Sequence, residues 1–448
     1  MGEFTGPGLL RECLERLEWA PERLAREINK TANKEVVSPK APYHWLQGGT
    51  PRGTLPELAA LTLSRALGEH VTPWQLWPGT RTQATAISAY SGLNLPWTAD
   101  GAGRCADLIS RPTASLLLPV PGPMAIAPVV DWFTAPTTTQ PSRANGNAVN
   151  SEMVTVLADR VRQLRHLDDV QGGPILLDWI KYDLRWTASL ASTASYDRET
   201  GTALFRVLAQ LAQLAGWVAT DLGQQALGQR YLLAALRFAH AAADTELAAA
   251  VVSCLSYLAL WMNSPANAVR LIRMARQRSA GHASPVTAAL LASREARAHA
   301  SSGSTAECAQ ALDEAANLLS TQAASPVPPP SWTYWVTEAV LLADAGRSWL
   351  EAGRPEQAIP LLDDGLRLFG HSQPRNRLLH GVSLAQAMLL TRQPDGAVQA
   401  TDQALALTAG QDSGRVRTRL AELRTALAAS TASQAIEAAD RVADRIHA

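Results

Sequence analysis

The sequence has little lysine and little charge of any kind. Lysine supplies four of its 40 basic residues (Lys30, Lys34, Lys40, Lys181), and charged residues make up 18% of the chain. With 40 acidic residues the formal net charge is zero. No global field then draws the protein to nucleic acid or anionic lipid, and any such affinity has to be local. Cysteine is also sparse: Cys13, Cys105, Cys254 and Cys308 are far apart and form no CxxC pair. That excludes a disulfide framework and a zinc site of ordinary spacing, and it fits a reducing cytosol. The start, Met1-Gly2-Glu3, lacks the basic-then-apolar pattern of a secretory signal. The most apolar stretch, 116–130, is broken by Pro119, Pro121, Pro123 and Pro128 and so cannot be a membrane helix. A cytoplasmic protein is expected.

Catalytic signatures are missing as well. There is no GxxxxGK[ST], no GxGxxG after a strand, no HExxH and no GxSxG. The nine histidines are scattered; His166 lies near Asp168 and Asp169. Without a second ligand cluster this reads as a helix ending before Gly172-Gly173 and not as a metal or acid–base site. An enzyme, a metal and a cofactor are all unexpected.

What is present is helix. The 448 residues are 47% hydrophobic, enough for two or three packed units. Three textures follow one another. Residues 1–80 carry short helical patterns separated by Pro and Gly. Residues 81–150 form a Pro/Gly/Thr-rich connecting region ending in the polar run Thr137 to Asn150, which reads as a flexible linker. Within it, Ser115 to Pro119 and Val129 to Phe133 read as short extended pieces. From residue 151 to 448, long amphipathic helices alternate with Gly, Asn or Pro punctuation.

The third region repeats. Aligning turns at Gly223, Asn263, Gly303, Gly353 and Arg392 gives spacings of 40, 40, 50 and 39 residues. Twelve residues into each block stands a small residue: Ala235, Ala275, Ala315, Gly365, Ala404. Seven residues earlier stand Gly228, Ala268, Cys308, Ala358 and Ala397. Seven residues is two helical turns, so both columns share one face of the second helix of each pair, where small side chains let helices approach closely. A third small column, Ser256, Ala296 and Ala385, falls on the first helices. The longer spacing before the fourth block is accounted for by Ser325-Pro-Val-Pro-Pro-Pro330, a stiff polyproline loop. The pattern predicts an all-α chain with a tetratricopeptide-type (TPR-like) α-solenoid.

The first helix of each pair lines the concave wall of such an array. Counting from the small columns puts Gln213, Trp217 and Asp221 on one stripe, with Ser253, Tyr257 and Trp261 in the next repeat. Arg297, then Arg347 and Glu351, then Gln386 follow. Aromatic rings and guanidinium groups on a concave face suit a peptide or a small amphiphile with an acidic group. Gln213, Trp217, Asp221, Tyr257, Trp261, Arg297, Arg347 and Glu351 are the candidate ligand-binding residues.

The first 80 residues show helical pieces in a suggestive order: 9–17, then 21–28 opened by Pro21, a turn with Asn29, Asn33 and Lys34, the short piece Ser38 to Leu46, and 55–67. That order resembles the helix-turn-helix head of XRE-type regulators. More closely, Leu24-Ala-Arg-Glu-Ile-Asn29, His44-Trp-Leu-Gln-Gly48, Leu63-Ser-Arg-Ala-Leu-Gly68, Leu167-Asp-Asp-Val-Gln-Gly-Gly173 and Leu211-Ala-Gln-Leu-Ala-Gly-Trp217 resemble a family of actinobacterial transcriptional regulators with TPR domains. The resemblance covers most of the chain except 81–150. It implies operator DNA as a partner, a sensed peptide or small molecule, a homodimer, and a role in secondary metabolism (antibiotic production) or development. In such a head the second helix of the motif meets base edges, which makes Lys34, Ser38, Lys40, Tyr43, His44, Gln47 and Arg52 the candidate DNA contacts. Residues 21–54 hold six basic and three acidic residues, a local surplus fit for a few phosphate contacts. Two features depart from the usual head: the turn from Lys30 to Val37 is long, and Pro42 falls within the short helix. A TPR adaptor that binds a protein and no DNA is the alternative.

Overall fold

The computed structural model describes residues 7–32, 35–52, 55–67, 71, 73–77, 87–111, 117–120, 122–136, 140–322, 325–326, 328–371, 373–409, 411 and 413–447. Among them the chain is all-α apart from one short parallel pairing of Ile87–Ser88 (β1) with Leu117–Leu118 (β2). It divides into two compact units: Met1–Ser91 with Thr113–Pro121, and Gly92–Pro112 with Gly122–Ala448.

The first unit holds α1 (Pro7–Arg16), α2 (Pro21–Ala32), α3 (Ala41–Leu46), α4 (Leu55–Leu67) and α5 (Pro73–Leu76). Pro21 opens α2 with the fixed φ that the first helical position favours, and Glu22 complements the helix dipole. Leu24, Ala25 and Ile28 form its buried face, packed with Leu10, Trp45, Leu63 and Leu76. Trp45 meets Trp77 edge to face at 5.7 Å. The long turn before α3 is tied by one side chain: Asn29 Oδ1 accepts from the amides of Val36 (2.8 Å) and Val37 (3.0 Å), and its Nδ2 donates to the Val37 carbonyl (2.8 Å). Pro42 lies in the first turn of α3, where amides have no intrahelical acceptor, so it costs no helical bond.

In the second unit, α8 (Ser151–Val170) and α9 (Pro174–Thr193) precede a run of hairpins. These are α10 (Arg198–Asp221) with α11 (Gln225–Ala241), α12 (Thr245–Trp261) with α13 (Pro265–Ser279), and α14 (Pro285–Ser301) with α15 (Thr305–Gln322). Then come α16 (Glu338–Glu351) with α17 (Pro355–Phe369), α18 (Pro374–Leu390) with α19 (Pro394–Leu405), and α20 (Gly414–Ala428) with α21 (Ser433–His447). Each pair packs on itself and on its neighbours in chain order, as in a TPR-like solenoid. The five aligned turn residues all adopt positive φ: Gly223 (81°), Asn263 (53°), Gly303 (80°), Gly353 (72°) and Arg392 (59°). Both small columns are buried. Gly346 shows why small residues are required: a Cβ there would lie 2.6 Å from Leu362 Cγ and 2.9 Å from the Ala358 carbonyl. The sixth pair, α20 with α21, is joined by 429–432, which holds neither glycine nor asparagine and no positive-φ residue, so no turn residue marked it for the alignment.

Two expectations for 81–150 are corrected. The region carries α6 (Ala99–Ser110), packed on α9 and α11, and α7 (Ala127–Thr134), packed on α13. Arg237 stacks over Trp97 at 4.3 Å and donates to the Leu95 carbonyl at 2.7 Å, while Arg278 stacks over Trp132 at 5.0 Å and donates to the Ala135 carbonyl at 2.8 Å. Val129 to Phe133, expected as extended, is helical, because Pro128 suits a first turn and Val129 and Trp132 at i, i+3 bury one face. Of the expected flexible run, 137–139 lies outside the described residues. The remainder is tied down by backbone bonds: Arg143 with Tyr196 (2.9 and 2.8 Å) and Val149 with Ser195 (2.9 Å). By length and composition α10 could cross a membrane, but 72% of its apolar window is buried inside the fold.

Candidate functional site: an arginine-rich cavity in the repeat array

The array of the second unit curls until its last helices meet its first. Arg375 at the start of α18 donates to Asp168 on α8 (2.8 and 3.0 Å), and Arg415 on α20 lies 2.8 Å from Asp221 on α10. Gln411 donates to the Val170 carbonyl at 2.9 Å. Closure turns the concave wall into a cavity lined by α8, α10, α12, α14, α16, α18 and α20. The space open to water-sized atoms is about 140 Å³; with crevices and mouth the atom-free volume is about 1230 Å³. The smaller figure limits a ligand, since a cavity of roughly 150 Å³ holds a benzene ring.

Of the candidate ligand residues, Gln213, Trp217, Tyr257, Trp261, Arg297 and Arg347 line this cavity. Asp221 and Glu351 stand just behind it and hold its arginines. Glu351 lies 3.0 Å from Arg297 and 2.7 Å from Arg347. Burial opposes its charge, yet those two guanidiniums bring the carboxyl down to about 2. Asp221 is governed the same way: burial works against its charge, and Arg415 and Arg375 overcome it, keeping the carboxyl below its ordinary range. Ser253 lines the wall too, and Gln386 accepts from Arg419 at 2.6 Å.

Tyr257 sits at the centre. Its oxygen is 3.2 Å from Arg415 Nη1 and 3.4 Å from Arg297 Nη1, both donating to it, and its ring packs 5.3 Å from that of Trp217. Burial alone would raise the phenol, but Arg297, Arg415 and Arg294 pull it down to about 7. Arg294 lies over Tyr257 (4.7 Å) and between Trp217 and Trp335 (5.9 Å each), a cation held mainly by ring faces.

Sequence reasoning missed a comparable set: Arg165, Asp168, Asp169, Arg294, Trp332, Trp335, Arg375, His380, Arg415 and Arg419 also line the cavity. Asp168 and Asp169 correct the reading of 166–169 as a bare helix end: Asp168 pairs with Arg375, and Asp169 accepts from the Tyr334 hydroxyl. The loop after the polyproline run, read as a spacer, brings Trp332 and Trp335 to the cavity. Its signal was three aromatics within four residues, Trp332, Tyr334 and Trp335. Burial, with Arg297 and Arg347 beside it, drives His380 down to about 4 despite Asp344, so it is neutral near pH 7.

In the first unit, Ser38, Lys40, Tyr43, His44, Gln47 and Arg52 are exposed, while Pro42 and Trp45 anchor α3 in the core. Tyr43 donates to Glu22 at 2.5 Å, fixing its ring across α2. Lys34 lies outside the described residues.

Residues 10–76, the stretch holding α1 to α5, match the SP15 N-terminal domain family. No curated protein matches this chain. Among solved structures, a Podosopora anserina putative kinesin light chain with nearly identical TPR-like repeats is similar at 16% identity and a TM-score of 0.31, covering 44% of this chain and 93% of that one; a substituted form of the same protein gives the same figures. The repeat architecture of this chain rests on its own helix pairing, positive-φ turns and buried small columns.

Proposed function

We propose that the protein is a cytoplasmic ligand-responsive regulator: the cavity of the repeat array receives a small signal molecule or the end of a peptide, and the helical head binds operator DNA as part of a homodimer. The observation that carries this is the cavity itself. A protein-binding solenoid has no need to close on its own first helix and bury arginines and aromatics around an enclosed space. The DNA half is supported by exposed polar residues on α3, Tyr43 and His44, and by Lys40, Gln47 and Arg52 flanking it, with Trp45 anchored in the core. Ligand acts by favouring one curvature of the array and thereby one spacing of two heads.

The test is a mobility shift of the full chain on its own upstream DNA over a salt series, with and without small-molecule extract. Retardation that extract changes supports the reading; no retardation at low salt removes the DNA half. An adaptor for a protein partner is the second reading. It is favoured by Ile175, Trp179, Tyr182 and Trp186, one face of α9, which are 83%, 42%, 67% and 46% exposed. Loss of partner capture on Trp179→Ala and Trp186→Ala, with DNA never bound, would establish it.

A further inference from the structure

Arginines outnumber carboxylates around the cavity, even with the Tyr257 phenol partly ionised near pH 7. Seven arginines line it, from Arg165 on α8 to Arg419 on α20. Among the described residues, six carboxylates stand near enough to answer them: Asp168, Asp169, Asp221, Asp344, Glu351 and Glu422. Most arginines are closely held. Arg375 has Asp168, Arg415 has Asp221, Arg297 and Arg347 share Glu351, and Arg419 has Glu422 at 2.6 Å.

Two guanidiniums are left over. Arg294 reaches Asp344 only at 4.0 Å. Arg165 is 9% exposed and donates from Nη2 to the neutral Gln213 Oε1 at 2.9 Å. Among the described residues its Nε has no partner and it forms no ion pair with a carboxylate. Cys254, bonded to Gln213 at 3.9 Å, lines the same cavity as both arginines. Buried charges are ordinarily paired, because an isolated one forfeits its hydration without return. An arginine fork matches a carboxylate in geometry as well as charge.

We infer that the cavity is an acid-recognising receptor, seating one carboxylate between Arg165 and Arg294 with the ligand's ring or short apolar chain against Trp217, Tyr257 and Trp335. The inference rests on the proposed sensing role of the cavity and narrows it to a chemical class: small organic monoanions. The two guanidiniums without a close carboxylate, Arg165 and Arg294, leave room for one more anionic group. The available space of about 140 Å³ admits one ring or a short chain. A second acidic group would meet Asp168, Asp169 and Asp344, which line the same wall.

The experiment compares acids with their neutral amides on the full chain: benzoate against benzamide, and hexanoate against hexanamide. Binding is read from tryptophan fluorescence, since Trp217, Trp261, Trp332 and Trp335 line the cavity, and from the thermal midpoint. The acids are expected to bind and the amides to bind at least about tenfold more weakly, the worth of a charge-assisted pair. Arg165→Met, which removes no carboxylate's partner, should weaken acid binding by a similar factor and leave the amides unchanged. Arg165→Lys, which keeps charge and loses the fork, should fall between. Equal binding of acids and amides, or acid binding indifferent to both Arg165 variants, overturns the carboxylate seat while leaving a receptor cavity. Failure of both acids and amides to bind at millimolar concentration overturns the seat and the receptor reading together.

Discussion

In the head, Lys40 and Arg52 lie in solvent, whereas in the repeat unit Arg375 and Arg415 are 7% and 9% exposed and converge on Asp221. The same kind of charge has opposite consequences in the two places. A solvated cation beside a short helix adds almost nothing to stability and remains free to meet a phosphate. A guanidinium shut inside the array is committed to a carboxylate on a distant helix, and the curl of the solenoid depends on that commitment. The head is held by apolar packing and by bonds between residues close in sequence, such as those of Asn29 to Val36 and Val37. The closed form of the array is held by ion pairs that span some two hundred, as Arg375 with Asp168 does.

Breaking the pair at its hub gives the largest effect. Asp221→Ala leaves Arg375 with Asp168 and deprives Arg415 of its carboxylate 2.8 Å away. Removing one partner of a buried pair costs about 3–5 kcal/mol, which should appear as a lower urea midpoint and as increased fluorescence of Trp217. The corresponding change in the head is local. Asn29→Ala removes the three bonds that close the α2–α3 turn and should cost about 1–3 kcal/mol, chiefly by leaving the Val36 and Val37 amides unsatisfied. If Asn29→Ala proved costlier than Asp221→Ala, the contrast between a locally held head and a charge-closed array would fail.

The same contrast decides what the sequence could reveal. Turns, small columns and the offset of about 40 residues are local regularities, and they placed Gln213, Trp217, Tyr257, Trp261, Arg297 and Arg347 on one wall. Asp168, Arg375 and Arg415 obey no such period. They face the cavity only because the array closes, bringing Arg375 to a residue 207 positions earlier, and no pattern along the chain announces closure. The loop 331–335 was hidden differently: its proline run explained a spacing and so concealed that the residues after it carry rings into the site. Residues 81–150 misled by composition, since Pro128 opens α7 and Gly101 and Gly103 lie inside α6.

Tyr257 offers a subtler way to sharpen the comparison, because a phenol among guanidiniums should titrate unlike one at the surface. Its pKa of about 7 in the folded protein lies below the roughly 10 of an unfolded chain. A depressed acid contributes stability fully above the unfolded value and loses it as pH falls through the folded one. Raising the pH from about 7 to 9 should therefore strengthen the native protein relative to Tyr257→Phe. Tyrosinate absorbance should grow near pH 7 in the native protein and not in the variant. Tyr43, whose hydroxyl is bonded to Glu22, is shifted upward and should stay protonated throughout that range. Identical pH profiles for parent and variant would show that the cavity arginines do not act on Tyr257.

The smallest expected effect on the protein itself comes from the exposed cations. Lys40 and Arg52 bracket α3, both in solvent, so Lys40→Ala with Arg52→Ala should leave the unfolding free energy within about 0.5 kcal/mol of the parent. If they meet DNA, they meet phosphate first, and a phosphate contact is sequence-blind and salt-dependent. Each lost contact should flatten the slope of log affinity against log salt by about 0.9, so the double variant should fall by roughly 2 units while keeping its order of preference among operator sequences. Gln47→Ala should behave in reverse, leaving the slope intact and relaxing discrimination at a base pair by about 1–3 kcal/mol, because its amide can address a base edge and carries no charge. A double variant with parental slope and affinity would remove α3 from the DNA surface. The exposed face of the head would then have to be read as its contact with a protein.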